Sequence, residues 1–404
     1  MARSHAGLRG TALRPPAPEP VATARARSQY KEHDVAGKKA VRCVGVLTGG
    51  GDCPGLNAVI RSVTKTLLYD HGATVYGIYD GYAGLVEHRY ERLDGPDVSN
   101  ILTRGGTILG SSNKANPFAY FPPQKIGGKH EPPHDASARA KALYRKLKLD
   151  ALVCIGGDGT MAIADGLIRR CGMNVVGVPK TIDNDLPQTD YTFGFMTAVQ
   201  TATEAIDRLH STAGSHHRVM VAEVMGRYAG WLALYAGAAS GADVILIPEI
   251  PYDMAVVAAY VKDRYRRGKR FSIVCVAEGA KPRGGTMTVE RMVADSPDPI
   301  RLGGIGHKVA REIEDLTGLE SRATVLGYVQ RGGTPCAFDR TLATAYGHHA
   351  TELVCGRRFG RLVVMRRGRI TSVPIQSIAG RVKKVPRNYP LLRAAQAVNT
   401  CFGR

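Results

Sequence analysis

The sequence predicts an α/β protein built as two Rossmann-like, doubly wound α/β domains with the active site between them. Three observations predict it. Short apolar runs alternate with helix-period stretches from residue 41 to about residue 365, the pattern of strands layered with helices. Several of these runs are bounded by glycine and proline, as buried strands are. Three of them, 41–47, 151–155 and 175–178, end in loops that carry aspartate, the first two with glycine clusters and the third with a lysine, at the strand ends where open α/β sheets bind ligands. A length of 404 residues holds two such domains.

Composition narrows the class. An apolar fraction of 44% and a charged fraction of 22% belong to a soluble globular chain. The best candidate for a membrane span, 228–247, is broken by Ser240, Gly241 and Asp243, so no membrane partner is expected. The eight cysteines form no CxxC pair, and Cys43, Cys154 and Cys275 lie inside apolar runs. They read as small core residues of a cytoplasmic chain in a reducing compartment, with neither a disulfide framework nor a zinc site. The formal charge of +20 favours anionic partners. With only 6% aromatics, no basic and aromatic RNA-binding signature and no zinc-finger spacing, phosphorylated metabolites are expected and nucleic acid is not.

Residues 1–40 stand apart. The Pro-rich stretch at 14–20 and the Ala/Arg run after it lack apolar periodicity, which predicts a disordered basic tail. Its wealth of Arg and Ala has some likeness to an organelle transit peptide, but a loose tail is the plainer reading. Order is expected to begin with the strand 41–47. This leads into Thr48-Gly49-Gly50-Gly51-Asp52 and a helix to about Tyr69. Glycines between a strand and a helix let backbone N–H groups approach an anion, although the spacing is neither a Walker A loop nor GxGxxG. A strand at 75–79 follows, then the glycine- and hydroxyl-rich loop 103–112, a surface excursion at 119–135 and a helix at 137–148.

The strand 151–155 repeats the first arrangement, running into Gly156-Gly157-Asp158-Gly159-Thr160 and a helix. Each loop taken singly is also what a tight turn with Asp as helix N-cap would look like. That explanation accounts poorly for two such loops plus Pro179-Lys180-Thr181-Ile182-Asp183-Asn184-Asp185, which puts two carboxylates and a lysine just past a third strand. Further along come a helix at 196–211, a strand at 218–224 and an uncharged, buried helix opened by 225–231. Strands at 244–247 and 272–277 bracket a basic-ended helix. A helix at 304–317, a strand at 322–326, the turn 328–335, a helix to Leu353 and a strand at 362–365 complete the pattern. The arginines of 357–369 read as solvated charge.

Taken together, Gly45–Asp52, Gly156–Thr160, Pro179–Asp185, Met225-Gly226-Arg227 and Gly327–Pro335 resemble, in order and spacing, the 6-phosphofructokinase family over about 41–375. The resemblance implies an ATP-binding part at about 41–180 plus later segments, a sugar-phosphate part at about 181–340, and a C-terminal segment at 376–404. It implies Asp183 as the base for the sugar 1-hydroxyl, supported by Asp185, Lys180 and Arg227. Gly50, Gly51, Asn113, Lys114, Gly157, Asp158, Gly159 and Thr160 would cradle ATP, with Asp158 on the Mg2+ cofactor. Fructose 6-phosphate would meet Thr181, Ile182, Asp183, Arg218, Met225, Gly226, Arg227, Glu278, Arg322, Tyr328, Val329, Gln330 and Arg331. Arg218 and Arg322 would reach in from a neighbouring subunit of a homotetramer or homodimer.

Three departures from the family pattern bear on the phosphoryl donor and the sugar. Asn113 and Lys114 stand where ATP-using relatives commonly place an arginine, and Tyr328 stands where many have histidine. Gly159 is of the ATP-using type, whereas Lys180 is of the pyrophosphate-using type, a mixture that resembles the mixed-substrate actinomycete branch. Gly159 weighs more, because a carboxylate there would repel the α-phosphate. The expected activity is therefore ATP-dependent phosphorylation of fructose 6-phosphate, the glycolytic step. A pyrophosphate-dependent reversible enzyme is the alternative, and a non-catalytic sugar-phosphate-sensing paralogue the second.

Overall fold

The computed structural model describes residues 40–121, 132–292 and 300–404. The tail expected at 1–40 and most of the excursion expected at 119–135 fall outside the described residues. Strand and helix alternate from β1 (Cys43–Thr48) and α1 (Leu56–His71) through β2 (Thr74–Ile78), α2 (Tyr82–Glu87), β3 (Tyr90–Leu93) and α3 (Ser137–Lys146). Next come β4 (Ala151–Gly156), α4 (Asp158–Cys171), β5 (Val175–Pro179), α5 (Phe195–His216) and β6 (Val219–Val224). The chain continues through α6 (Trp231–Ala239), β7 (Val244–Leu246), α7 (Met254–Arg266) and β8 (Ser272–Ala277). It ends with β9 (Val289–Met292), β10 (Ile300–Leu302), α8 (Ile305–Thr317), β11 (Ser321–Val325), α9 (Ala337–Cys355), β12 (Arg361–Arg366), β13 (Arg369–Pro374) and α10 (Pro390–Ala397).

Two sheets carry the fold, as the alternation predicts. The larger is ordered β13-β12-β5-β4-β1-β2-β3, with β12 through β2 parallel and the two edge strands antiparallel. The smaller, β11-β6-β8-β7, is parallel throughout. Every residue of β4, β5, β6 and β8 is buried, which is why these strands read as unbroken apolar runs and not as alternating ones. The expected strands and helices recur within a few residues of their predicted ends.

Six elements had no clear periodic signal: α2, β3, β9, β10, β13 and α10. The short α2 is one and a half turns and β3 exposes two of its four residues, so neither has a long apolar face. The segment 376–404 packs against the smaller sheet, with Leu392, Ala395 and Phe402 buried and Cys401 bridged to Val244.

Strand order locates the ligand crevice. In the larger sheet the chain goes from β1 to β2 on one side and returns with β4 on the other, so the connections leaving β1 and β4 part in opposite directions. A crevice opens at the carboxyl ends of such a strand pair. In the smaller sheet β6 has β8 on one side and β11 on the other, and the loops after all three leave from their carboxyl ends.

Candidate active site

The first loop, Gly49–Asp52, is held to the 107–112 segment by hydrogen bonds. The Gly50 N–H donates to the Ser112 carbonyl at 3.0 Å, and the Ser111 hydroxyl donates to the Gly50 carbonyl at 2.5 Å. The second loop turns directly into α4. Gly157 caps this helix without a side-chain hydrogen bond, and Asp158 is its first residue, exposed to the cleft. Neither Asp52 nor Asp158 is a helix N-cap: α1 is capped by Gly55 and α4 by Gly157. The plain turn-and-cap explanation of these two aspartates therefore fails, and their carboxylates are left for other work.

The third loop follows β5. The Lys180 main-chain N–H donates to the Gly156 carbonyl at 3.0 Å, and its ammonium donates to the Gly51 carbonyl, so this loop touches both of the others. Lys180 is buried, which pushes its ammonium below the usual lysine range. Asn184, in the left-handed region at φ 49°, makes the turn between the two aspartates. Its side-chain oxygen accepts from the Thr192 N–H at 3.0 Å and its amide donates to the Asp190 carbonyl at 3.3 Å. Asp183 and Asp185 are thus presented from a braced turn.

Together the three loops form one wall of a cavity of about 870 Å³. The opposite wall comes from the smaller sheet. Met225, Arg227 and Tyr228 follow β6, Glu278 follows β8, and Tyr328 and Arg331 follow β11. Burial raises the Asp183 carboxyl, against the pull of Arg331, Lys180 and Arg227, and its Oδ1 has no hydrogen-bond partner. Burial, with the negative charges of Asp183 and Asp158, lifts Asp185 to about 7. Burial and the Asp183 charge lift Glu278 to about 7 as well, opposed by Arg227. Acids desolvated beside fixed cations are the mark of a site prepared to hold phosphate and move a proton.

Of the expected site residues, the cavity brings together Gly50, Gly51, Asn113, Gly157, Asp158, Gly159, Thr160, Lys180, Thr181, Asp183, Asp185, Met225, Arg227, Glu278, Tyr328 and Arg331. It does not bring in Lys114, Ile182, Arg218, Gly226, Arg322, Val329 or Gln330. Ile182 is core, and the fully buried Gln330 is engaged as a brace, accepting from the Met225 N–H and donating to the Gly327 carbonyl. Arg218 and Arg322 both pair with Glu320, at 2.7 and 2.5 Å, outside this chain's cleft. The cavity also takes in Asp52, Thr107, Ser111, Tyr228 and Leu302, which were not singled out. The first four lie in or beside loops already read as ligand-binding. Leu302 ends the β9–β10 pair and carries no chemical signal of its own.

The phosphofructokinase family profile matches residues 43–354. The chain belongs to the phosphofructokinase family. An ATP-dependent 6-phosphofructokinase of Spirochaeta thermophila is 49% identical over 91% of this chain and 99% of the relative. A pyrophosphate–fructose 6-phosphate 1-phosphotransferase of Streptomyces coelicolor is 51% identical over 85% of this chain and 96% of the relative. Among solved structures, phosphofructokinase from Saccharomyces cerevisiae superposes with a TM-score of 0.67 at 30% identity, covering 83% of this chain and 45% of the yeast chain. The phosphofructokinase fold accounts for both sheets described above. Among the described residues, no helix is long and apolar enough to cross a membrane.

Proposed function

We propose that this chain is an ATP-dependent 6-phosphofructokinase, transferring the γ-phosphoryl of ATP to the 1-hydroxyl of fructose 6-phosphate to give fructose 1,6-bisphosphate and ADP. The observation that carries the reading is the placement of Asp183. Asp183 lines a cavity with the glycine loops on one side and Arg227, Glu278 and Arg331 on the other, and one of its carboxylate oxygens has no hydrogen-bond partner. That is where a base must lie if a phosphoryl group is to pass from a donor on the loops to a sugar on the opposite wall.

In this reading Asp183 accepts the proton of the 1-hydroxyl as that oxygen attacks the γ-phosphorus, and the bond to the β–γ bridging oxygen breaks. Arg227 faces the charge that develops on the transferring group, and Arg331 holds the 6-phosphate. Backbone N–H groups of Gly51 and 157–160 cradle the donor phosphates, aided by the amino end of α4. Gly159 favours ATP. It is exposed to the cleft, and a Cβ added there would meet nothing within 4 Å, so the space beside Asp158 is open.

The residues present fit Mg2+. Among the described residues no group of three or more His, Cys, Asp or Glu could form a closed cage. Mg2+ does not need one, since it takes one or two carboxylates and fills its shell with water and phosphate oxygens. The charge of Asp158 helps to raise the pKa of Asp183, and the charges of Asp183 and Asp158 together raise that of Asp185, a repulsion that a divalent cation would relieve. Asp158 would hold it, and the ion would neutralise charge on the donor phosphates.

A homo-oligomer follows from the same reading. Arg218 and Arg322 lie away from this chain's cavity, beside the edge strand β11, and Tyr328 at its end is 78% exposed. A second copy docked on that edge would supply the two arginines to its neighbour's sugar site. The cytoplasm is the proposed compartment, in keeping with the buried thiols of Cys53, Cys154 and Cys275.

The second reading, a pyrophosphate-dependent enzyme, is favoured by Lys180, whose ammonium lies against the first glycine loop. A donor comparison on one preparation tests both. Phosphorylation of fructose 6-phosphate with Mg-ATP is expected, and turnover with pyrophosphate alone would overturn the assignment.

A further inference from the structure

The C-terminal segment crosses the back of the site, and one of its residues touches both walls. The Lys383 ammonium donates to the Thr189 carbonyl at 2.9 Å and the Asp190 carbonyl at 3.2 Å. The Asp190 carbonyl also accepts the side-chain amide of Asn184, the residue that turns the chain between Asp183 and Asp185. The Lys383 main-chain N–H donates to the Asp185 carbonyl at 2.6 Å. Three contacts from one residue therefore close the catalytic turn from behind.

Towards the other wall, the Lys383 carbonyl accepts from the Trp231 indole N–H at 2.7 Å, and the ammonium lies 5.2 Å from the centre of the indole ring. Trp231 opens α6, four residues past Arg227. Two further bonds fasten the same junction. Glu249 accepts from the Val385 N–H at 2.8 Å and from the Gly230 N–H at 3.1 Å. Trp231 also packs edge-on against Tyr389 at 4.9 Å between ring centres.

We propose that Lys383 is a positioning residue for phosphoryl transfer, holding the turn that bears Asp183 and Asp185 in register with the segment that bears Arg227. These groups stand on loops from different sheets, each braced within its own half, and Lys383 is bonded to both. Lys383 does not itself line the cavity; it acts through the Asp185 carbonyl, through the Asp190 carbonyl that it shares with Asn184, and through Trp231. An ammonium suits the task because it donates to two carbonyls at once while its charge stands over the indole ring.

The proposal rests on the reading of the cleft as a phosphofructokinase site, and two measurements separate their failures. In steady-state assays Lys383→Met is expected to lower kcat about tenfold or more, since a small misplacement of a base costs that much. The KM for ATP should stay within about twofold, because the glycine loops are untouched. Lys383→Arg, which can donate to both carbonyls, should recover most of the loss.

In hydrogen-exchange measurements without substrate, peptides spanning 183–192 should exchange faster in Lys383→Met, while those of β1 and β4 should not. Should Lys383→Met fail to fold, Trp231→Phe, which removes only the indole donor, carries the same two readouts. An unchanged kcat overturns the positioning role, as does unchanged exchange at 183–192 or a loss that Lys383→Arg leaves unrepaired. No turnover from the wild-type protein, with exchange responding as expected, overturns the functional reading and leaves the brace standing.

Discussion

The Lys180 ammonium donates to the main-chain carbonyl of Gly51, fastening the loop after β5 to the loop after β1 across the intervening β4. Lys180 is buried and the bond is partly so, which makes its loss costly to the loop. It also places a cation at the donor side of the cleft, near Asp183. In the proposed reading one side chain has two duties, holding the first glycine loop and sharing in the neutralisation of the transferring phosphate.

Lys180→Met keeps the length of the side chain and removes both functions. Turnover with ATP should fall by about tenfold or more, from the displaced loop and the lost charge together. A measurement of kcat on protein shown to be folded by circular dichroism checks it. Wild-type turnover in the variant would remove Lys180 from the catalytic set.

Gly159 separates the donors more directly. The open space around it means that Gly159→Asp should fold, and an acidic residue in the first turn of a helix is favourable in itself. The new carboxylate would stand beside Asp158 at the mouth of the donor site. The KM for ATP should rise by about tenfold or more, with far less effect on any pyrophosphate-dependent turnover. Equal effects on the two donors would count against Gly159 as the discriminating position.

Gly51 and Arg331 form a second linked pair. A Cβ at Gly51 would lie 2.2 Å from Arg331 Nη1 and 2.9 Å from its Cζ, so Gly51→Ala must push the guanidinium aside. Arg331 also donates to the Asp52 carbonyl at 3.2 Å, and that bond would go with it. Loss of one charge-assisted contact to the sugar phosphate should raise the KM for fructose 6-phosphate by about tenfold or more. The KM for ATP serves as the control, and a rise confined to ATP would place Arg331 on the donor side instead.

Much of this site was legible in the sequence, for a physical reason. A loop at a strand end that must approach phosphate needs glycine, and the acids that work there stand within a few residues of it. Gly50, Gly157–Thr160 and Asp183 could therefore be read from short motifs. What could not be read were contacts between residues far apart in the chain. Lys383 meets Thr189 and Asp190 from almost two hundred residues away, and its own neighbourhood is a polar stretch without periodicity. Gln330 shows the converse. It sits within a motif that carries ligand-facing residues, yet its side chain is turned inward as a brace, and spacing alone does not distinguish the two. The edge strands β3 and β13 escaped notice because strands with one solvated side and few apolar residues look like loops.

The raised pKa of Asp185 makes the stability of the ligand-free protein depend on pH in a definite direction. An aspartate in an unfolded chain ionises near 3.9, roughly, whereas burial and the neighbouring charges of Asp183 and Asp158 hold Asp185 protonated up to about 7 in the folded protein. Between those values the folded state binds a proton that the unfolded state has released. Stability is therefore fully supported below the unfolded value, falls as pH rises towards about 7, and stays lower above it. Asn at this position cannot ionise. Asp185→Asn should accordingly gain Tm over the wild type at pH 8 and show a clearly smaller gain at pH 5, while losing turnover. Mg-ATP, whose cation relieves the repulsion among the three carboxylates, should narrow the gap at pH 8 by stabilising the wild type more. Thermal melts of the two proteins at both pH values decide the matter: a Tm difference that is the same at pH 5 and pH 8 would show that Asp185 is not an ionisable burden on the fold.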